Sequence, residues 1–432
     1  MSPERPVARP LYLWFVVGVL LLTSMLSFLD RQVLSLLVAP LQAEFQIGDA
    51  QVGLLLGGVF GLAYVLAGLP LSYVADRGHR RNLIIAGLLF WSLATAATAL
   101  SRSFGDLLLA RAALAIGEAA LAPAAYSLIA AYAPPHQAAR ATSVYSLGVY
   151  LGAGAAVLIG GVLLQMIESG AYWTLPVIGA VQPWQAVLLL LASAGPALAL
   201  LLLAVREPPR TVPASQAGSA QWTLLRGRWS VILLLASGFA LMGMSGYASS
   251  AWLPSYFVRT HGWSVATFGM TYGIIISVFG GAGVLFGGWL ADRWTAAGHR
   301  DAVLRVGLLA SAGSVVFGLW FLLPIDGRVA AAFIAPSTFT IAMTGGLWAA
   351  GLRQLVPVVM IGRATALCLM IMTLAGLGLG PTLVGWLSHA FFKGDGSLAM
   401  PLLLVCGGSQ ILGGVALWAA RRPYLSAISI SS

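Results

Sequence analysis

Apolar residues run along this chain in long blocks, and the charged residues gather between the blocks. Stretches of about 20 apolar residues recur from end to end, and each is long enough to cross a bilayer core of about 30 Å. Runs such as Leu198–Val205 and Val231–Ala236 do not alternate apolar with polar residues, as the strands of a membrane barrel do. Without water at that depth, backbone groups must pair within their own segment, so the spans are predicted to be helices. Twelve are expected, at residues 11–38, 51–75, 82–101, 106–131, 138–165, 183–204, 229–257, 264–291, 302–323, 329–352, 362–389 and 399–420.

Composition agrees with the pattern. Of 432 residues, 59% are hydrophobic and 8% charged, against about 25% charged in a soluble domain. Mean hydropathy is +0.91. The net charge of +10 does not point to a nucleic-acid partner, because the basic residues sit in short clusters between spans. With an internal N-terminus, Arg5, Arg9, Arg77, Arg80, Arg81, Arg140, Arg206, Arg210, Arg226, Arg228, Arg293, Arg300, Arg305, Arg353, Arg363, Arg421 and Arg422 face the cytoplasm. Arg102, Arg259, Arg328 and Lys393 face outward, a 17 to 4 ratio that follows the positive-inside rule. Both termini are therefore expected in the cytoplasm, with the protein in the bacterial inner membrane. The basic N-terminal stretch resembles a signal peptide, but its apolar run continues to Asp30-Arg31 and reads as the first span. Cys368 and Cys406 both fall inside apolar spans, and no disulfide is expected.

The polar segment 205–228, with Pro208, Pro209 and Pro213, reads as a cytoplasmic linker. It divides the chain into six-helix bundles at 1–204 and 229–432. The halves also repeat. Ser72-Tyr-Val-Ala-Asp76-Arg77, followed by Arg80-Arg81, recurs as Gly288-Trp-Leu-Ala-Asp292-Arg293, and the two Asp-Arg pairs lie 216 residues apart. Asp76 ends a helix, where the dipole disfavours an anion. It needs a partner, and a charge satisfied only when two halves close acts as a conformational latch. Asp76, Arg77, Arg80, Arg81, Asp292 and Arg293 are the candidate latch residues.

Four ionisable residues lie inside spans: Asp30 and Arg31 in the first, Arg111 and Glu118 in the fourth. Each costs roughly 2.5–3.5 kcal/mol at mid-helix on insertion scales, which makes it a functional candidate. Arg111 and Glu118 are seven residues apart, on one helix face and about 10 Å apart along the axis. A group from the first span, such as Arg31, fits between them. Burial raises a carboxylate's proton affinity and a nearby guanidinium lowers it. A moving arginine therefore couples protonation to helix motion, and the four residues are the candidate proton-coupling set.

The duplicated D-R…R-R loops resemble the signature loop of the major facilitator superfamily, with Ser72 standing where that pattern has glycine. Phe28-Leu-Asp30-Arg31, with Arg111-(x)6-Glu118-Ala-Ala-Leu-Ala-Pro123, resembles the Spinster branch, which includes transporters of sphingosine-1-phosphate and lysophospholipids. Organic anion symporters share a similar arrangement, so the motifs leave the substrate open. The resemblance implies an all-α major facilitator fold of two pseudo-symmetric six-helix bundles, alternating access and a monomer. It also implies a central cavity lined by helices one and four and by seven, eight, ten and eleven. The latter four carry no interior charge. Tyr247, Trp252, Thr344, Trp348, Met370 and Thr373 are the candidate substrate contacts, and a cavity charged on one side and Met-rich on the other suits an amphipath. No cofactor or metal is expected, because the histidines are scattered. Gly243-Met-Ser245-Gly246 matches the GxSG of intramembrane serine proteases, whose histidine would have to be His389. No filter motif suggests a channel.

Overall fold

The computed structural model describes residues 10–168, 173–175, 179–208, 228–318, 320, 325–356, 361–392 and 398–429. Among the described residues, eleven helices are long and apolar enough to cross a membrane: Leu11–Leu36, Asp49–Ala75, Arg80–Ala99, Phe104–Tyr132, Arg140–Leu158, Pro183–Leu203, Trp229–His261, Val265–Ala296, Gly327–Leu355, Ala364–Phe391 and Ala399–Ile428. A shorter apolar helix, Ala302–Gly318, stands ninth in order. They are called helices one to twelve below, and they match the twelve predicted spans. A small antiparallel hairpin, Trp173–Leu175 with Gly179–Val181, joins helices five and six. The apolar pattern gave no sign of it, since three-residue strands are too short to carry a period. Residues 209–227 of the linker lie outside the described residues.

Helix seven runs one turn further than its apolar pattern suggested, to His261, and stops at Gly262 in the left-handed region (φ 65°). This is a glycine C-cap, where a Cβ would be strained. Helix four starts at a reciprocal cap. Ser103 Oγ accepts from the Asp106 amide (3.1 Å), and Asp106 Oδ2 accepts from the Ser103 amide (3.0 Å).

Helices four and ten are each interrupted. Helix four breaks at Ala119–Ala120, directly after Glu118, where the Ala120 amide reaches only to Gly117 O (3.4 Å). Pro123 falls in the first turn of the next segment, where a missing N–H leaves no ladder bond unmade. Helix ten breaks at residues 343–346, around Gly345 and Gly346. Single π-helical turns interrupt helices two (Leu54–Gly58), eight (Ile276–Gly280), eleven (Thr373–Leu379) and twelve (Leu403–Gly407).

The chain forms two compact units. One comprises Met1–Leu37 and Leu62–Ser215, the other Val38–Gly61 and Gln216–Ser432. The division does not fall at the linker alone: it also cuts helix two at Gly61 and places 38–61 with the second unit.

In the first unit, helix one packs along helix five. A Cβ on Gly148 would meet Ser24, and one on Gly152 would meet the Met25 backbone. Helices three and four cross at Gly87 and Gly117, where a Cβ on either would lie 2.7–2.9 Å from the other's carbonyl. Small residues let backbones approach closely, which is how helices gain contact in a membrane. The core of the second unit is built on Ile232, Phe239, Leu304, Val306, Leu417 and Tyr424, all within 1% of full burial.

Each unit ties its ninth- or third-helix start to its last helix by an ion pair. In the first, Arg80 Nε meets Glu207 Oε1 at 2.7 Å, just past helix six. In the second, Asp301 accepts from Arg305 (2.7 Å) and Arg421 (2.8 Å). Burial pushes the Asp301 carboxyl up, but the bonds and charges of Arg421 and Arg305 outweigh it and hold it below its ordinary value.

Candidate functional site

The four intramembrane charges all lie in the first unit and converge. Asp30 and Arg111 are 3% exposed and Glu118 is 1% exposed. Arg31 Nε donates to Glu118 Oε2 at 2.5 Å, and Ser27 Oγ donates to the same oxygen at 2.9 Å. Asp30 is within electrostatic reach of Glu118, Arg111 and Arg31, and Arg111 of Glu118. The sequence placed Arg31 between Arg111 and Glu118, and the structure brings its guanidinium onto the carboxylate.

Arg31 is also held by aromatic rings, its Cζ 4.8 Å from the Phe28 centroid and 5.1 Å from the Tyr64 centroid. Such cation–π contacts gain strength where water is scarce. Ser27, Phe28 (quoted only as part of a motif) and Tyr64 were assigned no role from sequence. The first two lie four and three residues before Arg31, on its helix face, so helical spacing was the available signal. Tyr64 comes from helix two and has no such signal.

The carboxylates are not saturated. Among the described residues, Glu118 Oε1 and Asp30 Oδ1 are buried without a hydrogen-bond partner. A buried polar group left unpaired costs about 1–3 kcal/mol. Two such oxygens on neighbouring helices make a costly arrangement for a scaffold. Glu118 has one carboxylate oxygen anchored by Arg31 and Ser27 and the other unpartnered.

The candidate substrate contacts divide. Tyr247, Thr344, Trp348, Met370 and Thr373 are half-buried. Tyr247 packs on helix eleven at Gly376, and Thr344 Oγ1 caps its own chain at Ile341 O (2.8 Å). Trp348 packs against the core of the second unit. Trp252 stands apart: it is fully buried, and its indole N–H donates to Pro381 O at 2.9 Å, tying helix seven to helix eleven. That commitment to packing was invisible in sequence, where a tryptophan in a cavity helix looks the same either way.

The candidate latch arginines are engaged locally, while the Asp76 side chain lies outside the described residues. Arg77 stacks over Tyr73 (3.9 Å) and Arg293 over Trp289 (5.3 Å), the same i, i+4 pair in each repeat. Arg80 donates to Glu207 and to Pro208 O (2.9 Å). The Arg81 amide donates to Glu207 Oε2 (2.9 Å), and its guanidinium to Val205 O (3.2 Å). Asp292 is exposed. Glu207 is the partner that the sequence reading missed.

The GxSG serine does not find its histidine. Ser245 lines a small cleft with Ser249, Ser314, Ser337 and Cys406, whereas His389 lies against Gly48 at the end of helix eleven.

Twelve apolar helices in repeated halves, with a buried cluster of opposite charges, define a polytopic membrane transporter. The Major Facilitator Superfamily model matches residues 20–381. This chain belongs to that superfamily. It is similar to an "MFS-type efflux pump" of Mycolicibacterium smegmatis (strain ATCC 700084 / mc(2)155), 27% identical over 95% of this chain and 93% of that protein. Protein spinster homolog 1 of Bos taurus is 28% identical over 57% of this chain, but the match spans only 46% of that protein. Among solved structures, a bacterial homologue of the human lysosomal transporter Spinster, inward-facing and unoccupied, superposes with a TM-score of 0.78. It is 27% identical and covers 98% of both chains.

Proposed function

We propose that this transporter is proton-coupled, works by alternating access, and carries an amphipathic, lysolipid-like substrate. The observation behind the coupling is the Glu118 carboxylate. One oxygen is shared by Arg31 and Ser27, and the other is buried and unpartnered among the described residues. A proton arriving at Glu118 removes the charge that holds Arg31. The guanidinium is then released from that carboxylate and turns toward Asp30 or toward an anionic headgroup, beside the Phe28 and Tyr64 rings. Departure of the proton restores the pair. With Arg111 on the same face of helix four, the four side chains sum to zero when Glu118 is ionised and to a net positive charge when it is protonated, which favours an anionic headgroup in that state.

The substrate reading rests on the contrast between this cluster and the uncharged helices seven, eight, ten and eleven, together with the Spinster likeness. A headgroup needs the charged wall, and a tail needs the apolar one. We assign the basic loops to the cytoplasmic side on the 17 to 4 arginine and lysine ratio. Both termini then lie in the cytoplasm, and the protein sits in the inner membrane, where it works as a monomer. The signature loops act as the latch on that side. Arg80 and Arg81 serve it as struts to Glu207, which leaves Asp76, Arg77, Asp292 and Arg293 as its movable charges.

The test is transport of a fluorescent lysophospholipid in proteoliposomes under an imposed pH gradient. Gradient-driven movement above empty liposomes, lost in Glu118→Gln, is the expected result. Movement that ignores the gradient sinks the proton coupling. Movement of a sugar acid in place of the lipid would move the substrate to small organic anions on the same fold.

A further inference from the structure

The segment between helices one and two is bracketed on both sides by the first unit, yet it folds into the second. Its attachment has two parts. The first is a polar lock. Asp49, the first residue of helix two, is gripped by Arg259 in the last turn of helix seven through two bonds, Nη1–Oδ2 at 2.9 Å and Nη2–Oδ1 at 2.8 Å. Gln42 joins the pair, accepting from Arg259 (2.8 Å) and donating to Asp49 (2.8 Å). Ser388 of helix eleven donates to Asp49 Oδ2 at 2.7 Å. Such two-pronged, charge-assisted contacts are among the strongest side-chain hydrogen bonds. The dipoles favour both charges, an anion at a helix N-terminus and a cation at a helix C-terminus.

The second part is a seam of close backbone approaches. A Cβ on Gly53 would lie 2.7 Å from Pro381 O, and one on Gly57 2.8 Å from Gly378 O. A Cβ on Gly61 would lie 2.6 Å from Gly378 Cα. Both helices carry a π turn at this seam, Leu54–Gly58 and Thr373–Leu379, and such turns are frequent at functional positions. Thr382 Oγ1 also donates across the seam to Gly53 O at 3.1 Å. The lock at its end adds the charged contact.

We propose that Asp49 and Arg259, with Gln42 and Ser388, form the gate opposite the signature loops: locked in this conformation, released when the transporter opens on that face. They are positioning residues for transport and need no contact with substrate. The proposal rests on the alternating-access reading but not on the identity of the substrate.

Glu44 and Thr260 are exposed beside the lock, and they suit spin labels after Glu44→Cys and Thr260→Cys. The buried native thiols are removed by Cys368→Ala and Cys406→Ala. The parent is expected to show mainly a short label–label distance. Asp49→Asn and Arg259→Ala are each expected to raise the ratio of long to short distances by about tenfold. The swap Asp49→Arg with Arg259→Asp should recover part of the short population, against the unfavourable helix dipoles. If a charge variant aggregates, Gln42→Ala and Ser388→Ala should each shift the ratio by about threefold. Unchanged distances in the folded variants would overturn the gate, whatever the transport assay gives. Shifted distances with no lipid transport would leave the gate standing and sink only the substrate reading.

Discussion

The two units handle charge in opposite ways. The first buries four ionisable side chains in mid-helix, and two carboxylate oxygens there have no partner among the described residues. The second keeps its ion pairs at helix ends. Asp49 accepts four hydrogen bonds, from Arg259, Gln42 and Ser388. Asp301 is shared by Arg305 and Arg421. Saturated pairs at helix ends are economical ways to fix one helix to another. An unsaturated pair in mid-helix is costly, which is why the proposed coupling is placed there.

The comparison breaks most easily at Arg31. Arg31→Ala strands Glu118 as a buried charge without its cation, an effect worth about 3–5 kcal/mol. The variant is expected to melt well below the parent in detergent. Arg31→Lys should not restore transport, because an ammonium lacks the planar group that stacks on Phe28 and Tyr64. Full activity in Arg31→Lys would make the cluster an ordinary ion pair and erase the contrast.

Glu118→Gln comes next. It keeps the shape and one acceptor but removes the titrating charge. Its thermal stability should stay near the parent's while gradient-driven transport falls by about 5–150-fold, the range of typical coupling energies. Gly117→Val tests whether the cluster depends on the crossing beneath it. Its Cβ would lie 2.9 Å from the Gly87 carbonyl and from the Trp91 amide. A loss of about 1–3 kcal/mol is expected, with transport falling in step. Unchanged melting would mean that helices three and four can separate freely there.

The smallest effect is expected at Asp301. Its folded carboxyl is held below the ordinary value. The stability it gives is therefore present above the unfolded pKa of about 3.9 and fades as pH falls through the lower folded value. Asp301→Asn should cost roughly 1 kcal/mol near pH 7, since both arginine partners are about a third exposed. It should also flatten the acid side of the melting curve below about pH 4. An unchanged acid limb would remove Asp301 from the structural pairs.

Much of the fold was legible because membrane insertion writes itself into hydropathy one span at a time. The charges of helices one and four were legible for the same reason: a charge in an apolar block needs no partner to be noticed. The features that escaped notice depend on pairs. Trp252 looked available for substrate until Pro381 O was found to take its N–H. The arginines of the signature loop looked like free latch charges until Glu207 was found beside them. Asp49 and Arg259 lie 210 residues apart near span ends, where charged residues are ordinary, so nothing in their spacing joined them.

By itself, the sequence determined that this chain crosses a membrane twelve times, that its halves repeat, and that four charges lie where water is scarce. Those properties are local: each follows from a window of about 20 residues and the cost of leaving water. Only the tertiary structure decided which oxygen Arg31 grips, which residues close the seam of helices two and eleven, and which side chains serve packing. Those are matters of distance between segments far apart in the chain, and no single window contains them.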